Sequence, residues 1–263
     1  MLSLDVAEGV ATITLSRPPV NAISEEWMAL FGEKLDELDR RDDWKVLLLR
    51  SDQKVFCAGA DLRQIRELMD VPDGPDRMYA YIAKIQRLYV RIEQIERVTL
   101  AEIGGAAMGG GLELALSCDL RVAAAEAKLG LPEARLGLIP AAGGTQRLTR
   151  LCGPSMATRL ILNAEVLDGN SARDFGVVQW AFPRAELAAR TRELARRIAS
   201  LPVAALIGCK TCLTAAGEPG RGGYTDELEV TRRLLTNKET QQCVSAFLAG
   251  QVSHAAAKKG GNQ

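Results

Sequence analysis

Residues 98–123 read VTLAEIGGAAMGGGLELALSCDLRVA. Val98–Ile103 (VTLAEI) is rich in β-branched residues, which predicts a strand. Gly104-Gly105 and then Gly109-Gly110-Gly111 break it. A helix is predicted after Gly111, ending near Asp119, and Leu120-Arg121-Val122-Ala123 predicts a further strand. Strand, glycine-rich turn, helix, strand is the unit from which α/β folds are assembled. One carboxylate, Glu113, lies inside the helix. Its helical neighbours at three and four residues are Gly109, Gly110, Leu116 and Ser117, none of them cationic. Leu112, Leu114, Ala115, Leu116 and Cys118 cover the rest of the cylinder, and a helix that is apolar all round is a buried one. Glu113 is therefore expected to be buried or to line a pocket. It either meets a distant arginine or the helix dipole, or it is a carboxylate whose burial lets it exchange protons near neutral pH.

The glycines suggest a use for that carboxylate. A glycine-rich turn entering a helix leaves backbone N–H groups without intrahelical partners. Such groups can hold negative charge developing on a ligand oxygen. The small-residue loop Ala58-Gly59-Ala60 can supply a second N–H. The glycines do not fit the dinucleotide GxGxxG pattern, and no GKS or GKT phosphate loop occurs.

Outward from this stretch the alternation continues. Residues 2–6 and 10–15 predict a hairpin around Glu8-Gly9. Ser24 is placed to cap a helix running to about Leu38, with Trp27, Leu30, Phe31, Leu35 and Leu38 on one face. Val46-Leu47-Leu48-Leu49 is an all-apolar run, as expected of a strand covered on both faces. Residues 70–76, with two prolines and a glycine, predict a surface loop. The helix after it carries Met78, Ile82, Ile85, Leu88, Ile92 and Ile95 at helical spacing. Glu133 follows Pro132 at the start of a short helix, and Gly143-Gly144-Thr145 opens another. Val177–Ala181 predicts a late strand. From Pro183 onward the pattern is helical: 184–200, 202–215, 224–236 and 238–249. Gly217–Gly223 reads as a loop or hinge, and Ala255–Gln263 as a disordered tail. The organisation is an α/β core over 1–195 with a C-terminal helical region over 196–263.

Composition narrows the chemistry. Among 263 residues there are 33 basic and 33 acidic side chains, which gives no support to a nucleic-acid or membrane-surface partner. The arginines at 190, 192, 196 and 197 alternate with Glu186 and Glu193, as on a solvated helix face. No apolar run approaches the roughly 18–20 residues that span a bilayer. The N-terminus lacks a signal-peptide pattern, and a cytoplasmic location is expected. Six cysteines are expected to be mostly buried and reduced. Cys209 and Cys212 form a CxxC without a second ligand pair, so no metal is expected. The single histidine, His254, lies in a polar, alanine-rich segment. Triads, Cys–His dyads and multi-His metal sites would all rest on it. Acid–base work would then fall to carboxylates, lysines or tyrosines.

Four segments together resemble the enoyl-CoA hydratase/isomerase (crotonase) family. They are Phe56-Cys57-Ala58-Gly59-Ala60-Asp61-Leu62, Met108–Ala115, Leu131-Pro132-Glu133, and Pro140–Leu148 (PAAGGTQRL), in matching order and spacing. The resemblance implies a spiral of β-β-α turns in place of a doubly wound sheet, with a C-terminal helical region that builds homotrimers, often paired into hexamers. It implies an acyl-CoA thioester substrate, with CoA part of the substrate and no separate cofactor. The N–H groups of Ala60 and Gly110 match the family's oxyanion hole. Glu113 and Glu133 match the two catalytic glutamates of its hydratases. Ala58, Asp61, Leu62 and Arg63 match the loop that holds CoA. Both glutamates being present points to hydration of 2-enoyl-CoA. Isomerisation is the alternative, and an RNA-binding branch of the family is a remote one.

Overall fold

A computed structural model describes residues 1–217, 220 and 222–259, with residues 250–259 described by their backbone alone. The chain enters through a hairpin. β1 (Leu2–Ala7) pairs antiparallel with β2 (Val10–Leu15), from Leu2 opposite Leu15 to Ala7 opposite Val10. Glu8 and Gly9 turn it with φ of 52° and 75°, the positive values that a two-residue hairpin turn demands. α1 (Glu25–Asp39) follows, and the Ser24 hydroxyl accepts from Trp27 N at 3.2 Å. This satisfies one of the amides the first turn leaves unpaired. Trp27, Met28, Phe31, Leu35 and Leu38 form the buried face of the helix.

β3 (Val46–Ser51), β4 (Val98–Ile103), β6 (Leu120–Ala124) and β9 (Trp180–Phe182) then add in parallel beyond β2. The sheet order is β1-β2-β3-β4-β6-β9. β5 (Ala107–Met108), β7 (Lys128–Gly130) and β8 (Val166–Asp168) form a second, three-stranded sheet in that order. The chain alternates between the two. From β4 it crosses to β5 and enters α4 (Gly110–Leu116). From β6 it crosses to β7, passes a 3-10 turn (Glu133–Leu136) and enters α5 (Gly144–Leu162). From β3 it reaches Cys57, which bridges in parallel to Ala107, and enters α2 (Leu62–Met69) and α3 (Gly74–Glu93). Strand, strand, helix is thus repeated, which is the spiral and not a single doubly wound sheet. α6 (Gly169–Asp174) leads to β9, and α7 (Arg184–Ala199) packs on β2, β3, β4, β6 and β9.

Met1–Ser200 forms one compact unit, and a second begins at Leu201. The second contains α8 (Val203–Ala216), α9 (Gly223–Leu235) and α10 (Lys238–Lys259).

Several elements depart from the sequence reading. α2 occupies residues assigned no helix, and α3 begins at Gly74, inside the expected loop. Pro75 sits in the first turn of α3, where its missing N–H costs nothing. α10 continues through residues 255–259, which composition had marked as disordered; residues 260–263 lie outside the described residues. Residues 218, 219 and 221 of the expected hinge also lie outside them. Cys57 and Cys118 are buried thiols, but Cys209 and Cys243 are exposed. Arg190 pairs with Glu186 and Glu193 along α7, and Arg196 pairs with Glu8. Among the described residues, no single helix is long and apolar enough to cross a membrane.

Candidate active site

The crossing between sheets brings the three glycine- and alanine-rich segments to one place. Gly109 opens α4 with φ 52° and ψ −126°, backbone that L side chains avoid. It is also too close to a carboxylate for a side chain, since a Cβ there would lie 2.7 Å from Glu133 Oε1. Its N–H donates to the Gly130 carbonyl at 2.9 Å, tying the turn to the second sheet.

Glu113 is one turn inside α4 and only 2 % exposed. Its Oε1 accepts from Gly144 N at 2.7 Å, at the start of α5. Burial pushes its carboxyl up to about 7; the Gly144 N–H opposes that rise and the nearby Glu133 adds to it. Glu133 is itself held above its ordinary value by burial. Its Oε2 is buried and has no hydrogen-bond partner among the described residues. A buried carboxylate oxygen without a donor is costly, and it marks a position where something else can donate.

Gly110, next in the chain to the Gly109 that meets Glu133, lies beside Ala60: a Cβ on Gly110 would lie 3.6 Å from Ala60 N. Neither amide donates to a protein acceptor among the described residues. Both are braced from behind. Ile23 N donates to the Gly59 carbonyl at 2.9 Å and Asp61 N to the Ile23 carbonyl at 3.3 Å, clasping Ala60 between them. The Tyr81 hydroxyl donates to the Ile23 carbonyl, and the Tyr89 hydroxyl to the Gly110 carbonyl, both at 2.7 Å. Asn21 is fully buried and donates to the Phe56 carbonyl at 2.9 Å and the Ser51 hydroxyl at 2.8 Å, fixing the strand that leads to the loop.

Ala58, Asp61, Leu62 and Arg63 follow this loop into α2. Asp61 caps the helix by accepting from Arg63 N at 3.0 Å and lies 3.8 Å from Arg17 Nη2. Ala58, Leu62 and Arg63 are exposed. Thus Glu113, Glu133, Ala60 and Gly110 come together, with the other four at the rim. Glu113, its carboxyl pushed up to about 7, can take and give protons near neutral pH, Glu133 is a second carboxyl raised by burial, and two unpaired amides can hold an oxyanion between them. The sequence reading missed the Gly144 N–H and the two tyrosines. Tyr81 and Tyr89 share the buried face of α3 with Ile85, Leu88 and Ile92, so helical spacing could have found their burial, though not their partners.

The enoyl-CoA hydratase/isomerase family matches residues 5–251. The chain belongs to this family. A probable enoyl-CoA hydratase of Bacillus subtilis (strain 168) is 37 % identical over 75 % of this chain and 76 % of that one. A mitochondrial methylglutaconyl-CoA hydratase of Mus musculus is 41 % identical over 60 % of this chain and 49 % of that one. The crystal structure of an enoyl-CoA hydratase from Geobacillus kaustophilus HTA426 superposes with a TM-score of 0.89 at 32 % identity, covering 95 % of this chain and 94 % of that one. Both the spiral fold and membership of an enzyme family that works on acyl-CoA thioesters follow from these likenesses. Within that family, the carboxylate pair beside two free amides is the arrangement from which the reaction must be argued.

Proposed function

We propose that the chain is an enoyl-CoA hydratase, which adds water reversibly across the 2,3 double bond of 2-enoyl-CoA thioesters to give 3-hydroxyacyl-CoA. The observation that carries this reading is the buried Glu113 and the half-buried Glu133, whose Oε2 is buried and unpartnered, packed around the glycine turn that carries the unpaired Gly110 amide beside Ala60. The thioester oxygen lies between those amides. Attack of water at the β-carbon pushes electrons onto that oxygen, where preorganised donors stabilise them by about 3–4 kcal/mol for each donor. Glu113 accepts the proton that water loses, and Glu133 delivers one to the α-carbon. Two neighbouring carboxyls hold one proton between them more readily than none, which suits a pair that must start with one base and one acid. Ala58, Asp61, Leu62 and Arg63 hold the CoA moiety at the rim. No cofactor takes part. The reaction belongs to fatty-acid or branched-chain acyl-CoA degradation. We further assign the working form as a homotrimer or a dimer of trimers, a reading supported by the apolar side chains that α9 exposes.

The test is the loss of enoyl-thioester ultraviolet absorbance when the protein is added to crotonyl-CoA. Glu113→Gln and Glu133→Gln should each lower kcat by about a hundredfold or more. Full activity in either variant overturns the assignment of that residue. Faster conversion of a 3-enoyl-CoA than of a 2-enoyl-CoA would make the protein an isomerase.

A further inference from the structure

Arg147 is a buried cation one turn inside α5, 5 % exposed. Its Nε and Nη2 donate to Glu93 Oε2 at the end of α3, at 3.2 and 2.8 Å. Its Nη1 donates to the Ala142 carbonyl at 2.9 Å. The Gly143-Gly144 turn lies between this guanidinium and Glu113. A Cβ on Gly143 would fall 2.2 Å from Arg147 Nη1, and a Cβ on Gly144 would fall 2.9 Å from Glu113 Oε1. A buried cation and a buried carboxyl therefore both pack against one glycine turn, the cation at Gly143 and the carboxyl at Gly144. Among the described residues no ion pair reaches Glu113. The carboxylate that does meet Arg147 is Glu93, which also lies 3.5 Å from the exposed Arg150.

This separation has a chemical consequence. An arginine in direct contact lowers a carboxyl pKa by about 1–3 units. A Glu113 so paired would stay ionised and keep its lone pairs occupied. We propose that Glu93 and Arg147 are positioning residues for Glu113. Glu93 takes up the Arg147 charge and holds the guanidinium beyond the glycine turn, while Arg147, through the Ala142 carbonyl, fixes the Gly144 N–H on Glu113. The proposal rests on the reading of Glu113 as the base toward water. The charged and titratable groups close enough to act electrostatically on Glu113 are Glu133 from the 3-10 turn, Arg147 from α5 and Tyr89 from α3. Tyr89 is kept neutral by burial, so Arg147 is the one cation among them.

A plain staple between α3 and α5 predicts that Glu93→Gln and Arg147→Met do the same thing. The positioning role predicts opposite effects on the acid limb of kcat/KM against pH, measured with crotonyl-CoA. Glu93→Gln leaves the Arg147 charge uncompensated, so the limb should move down by about half a pH unit. Arg147→Met removes the cation, so the limb should move up by about as much, with kcat reduced and KM little changed. Arg147→Lys should return the limb toward the wild-type position. Shifts of the same sign, or no shift, overturn the proposal. Should Arg147→Met fail to fold, the near-isosteric Glu93→Gln decides alone, since its limb must move down. Titration of the Glu113 carboxyl by carbon-13 NMR in substrate-free protein reads the same shifts without any reaction. If wild-type protein leaves crotonyl-CoA unchanged, the hydratase reading fails, and the NMR shifts still uphold or overturn the positioning roles.

Discussion

Glu113 is a carboxyl that the fold makes reluctant to ionise, and this gives stability a definite pH dependence. Its folded value of about 7 lies above the ordinary 4.5. Below 4.5 the group is protonated in both states, and its contribution to stability is fully present. As pH rises through 7 that contribution is lost, because the unfolded chain ionises freely and the folded one must bury the charge. Glu113→Gln cannot ionise, yet its amide oxygen can still accept from Gly144 N. The variant should match wild type near pH 4 and exceed it by about 3 kcal/mol at pH 8, measured by urea unfolding at both values. A gap that fails to widen between those pH values would mean that the carboxyl is not desolvated. Sequence alone reached the burial of Glu113, since no cation stood within a helical turn and the cylinder around it was apolar. It could not reach the Gly144 N–H, which arrives from 31 residues away in the chain. Nor could it choose between a paired and a proton-exchanging carboxyl, because that depends on where Arg147 points.

At the scale of elements, α3 braces the amide pair. Its apolar spacing was legible, but the same face carries two phenol hydroxyls that reach Ile23 and Gly110. Helical periodicity reports which side of a helix is buried and carries nothing about the carbonyl a hydroxyl will meet on another element. Tyr89→Phe removes one 2.7 Å hydrogen bond and leaves the ring in place. The stability loss should be about 1 kcal/mol. With the Gly110 carbonyl released, the Gly110 N–H, proposed above as an oxyanion donor, loses its fixed direction. The kcat for crotonyl-CoA should fall about tenfold with little change in KM, as expected for an interaction made in the transition state. An unchanged kcat would show that α4 holds Gly110 without help. α2 and the start of α3 were misread for a related reason. Pro72, Gly74 and Pro75 look like loop residues along the chain, and only the helix following Pro75 shows that it sits in a first turn.

At the scale of the whole molecule, strand and helix alternation was legible, while the spiral was not. Whether consecutive strands join one sheet or alternate between two is decided by long-range pairing, as at Cys57 with Ala107 and Ala107 with Leu129. The family resemblance supplied what the pattern lacked. The second unit raises a different question, because α9 buries Val230 but exposes Tyr224, Leu228 and Leu235, at 87 %, 72 % and 67 %. At spacings of four and seven residues these share one side of the helix. Large exposed apolar side chains grouped on one side of a helix are the mark of an interface, and in a homotrimer or hexamer they would be covered by other copies of the chain. Light scattering should therefore give wild-type protein a mass of three or six chains. Leu228→Glu sets a charge in the face while leaving the helix a good former, since glutamate has high helix propensity. It should lower the mass to a smaller multiple while the far-ultraviolet dichroism stays unchanged. A wild-type protein that runs as a single chain would overturn the assembly, and an L228E protein of unchanged mass would place the contact on another face.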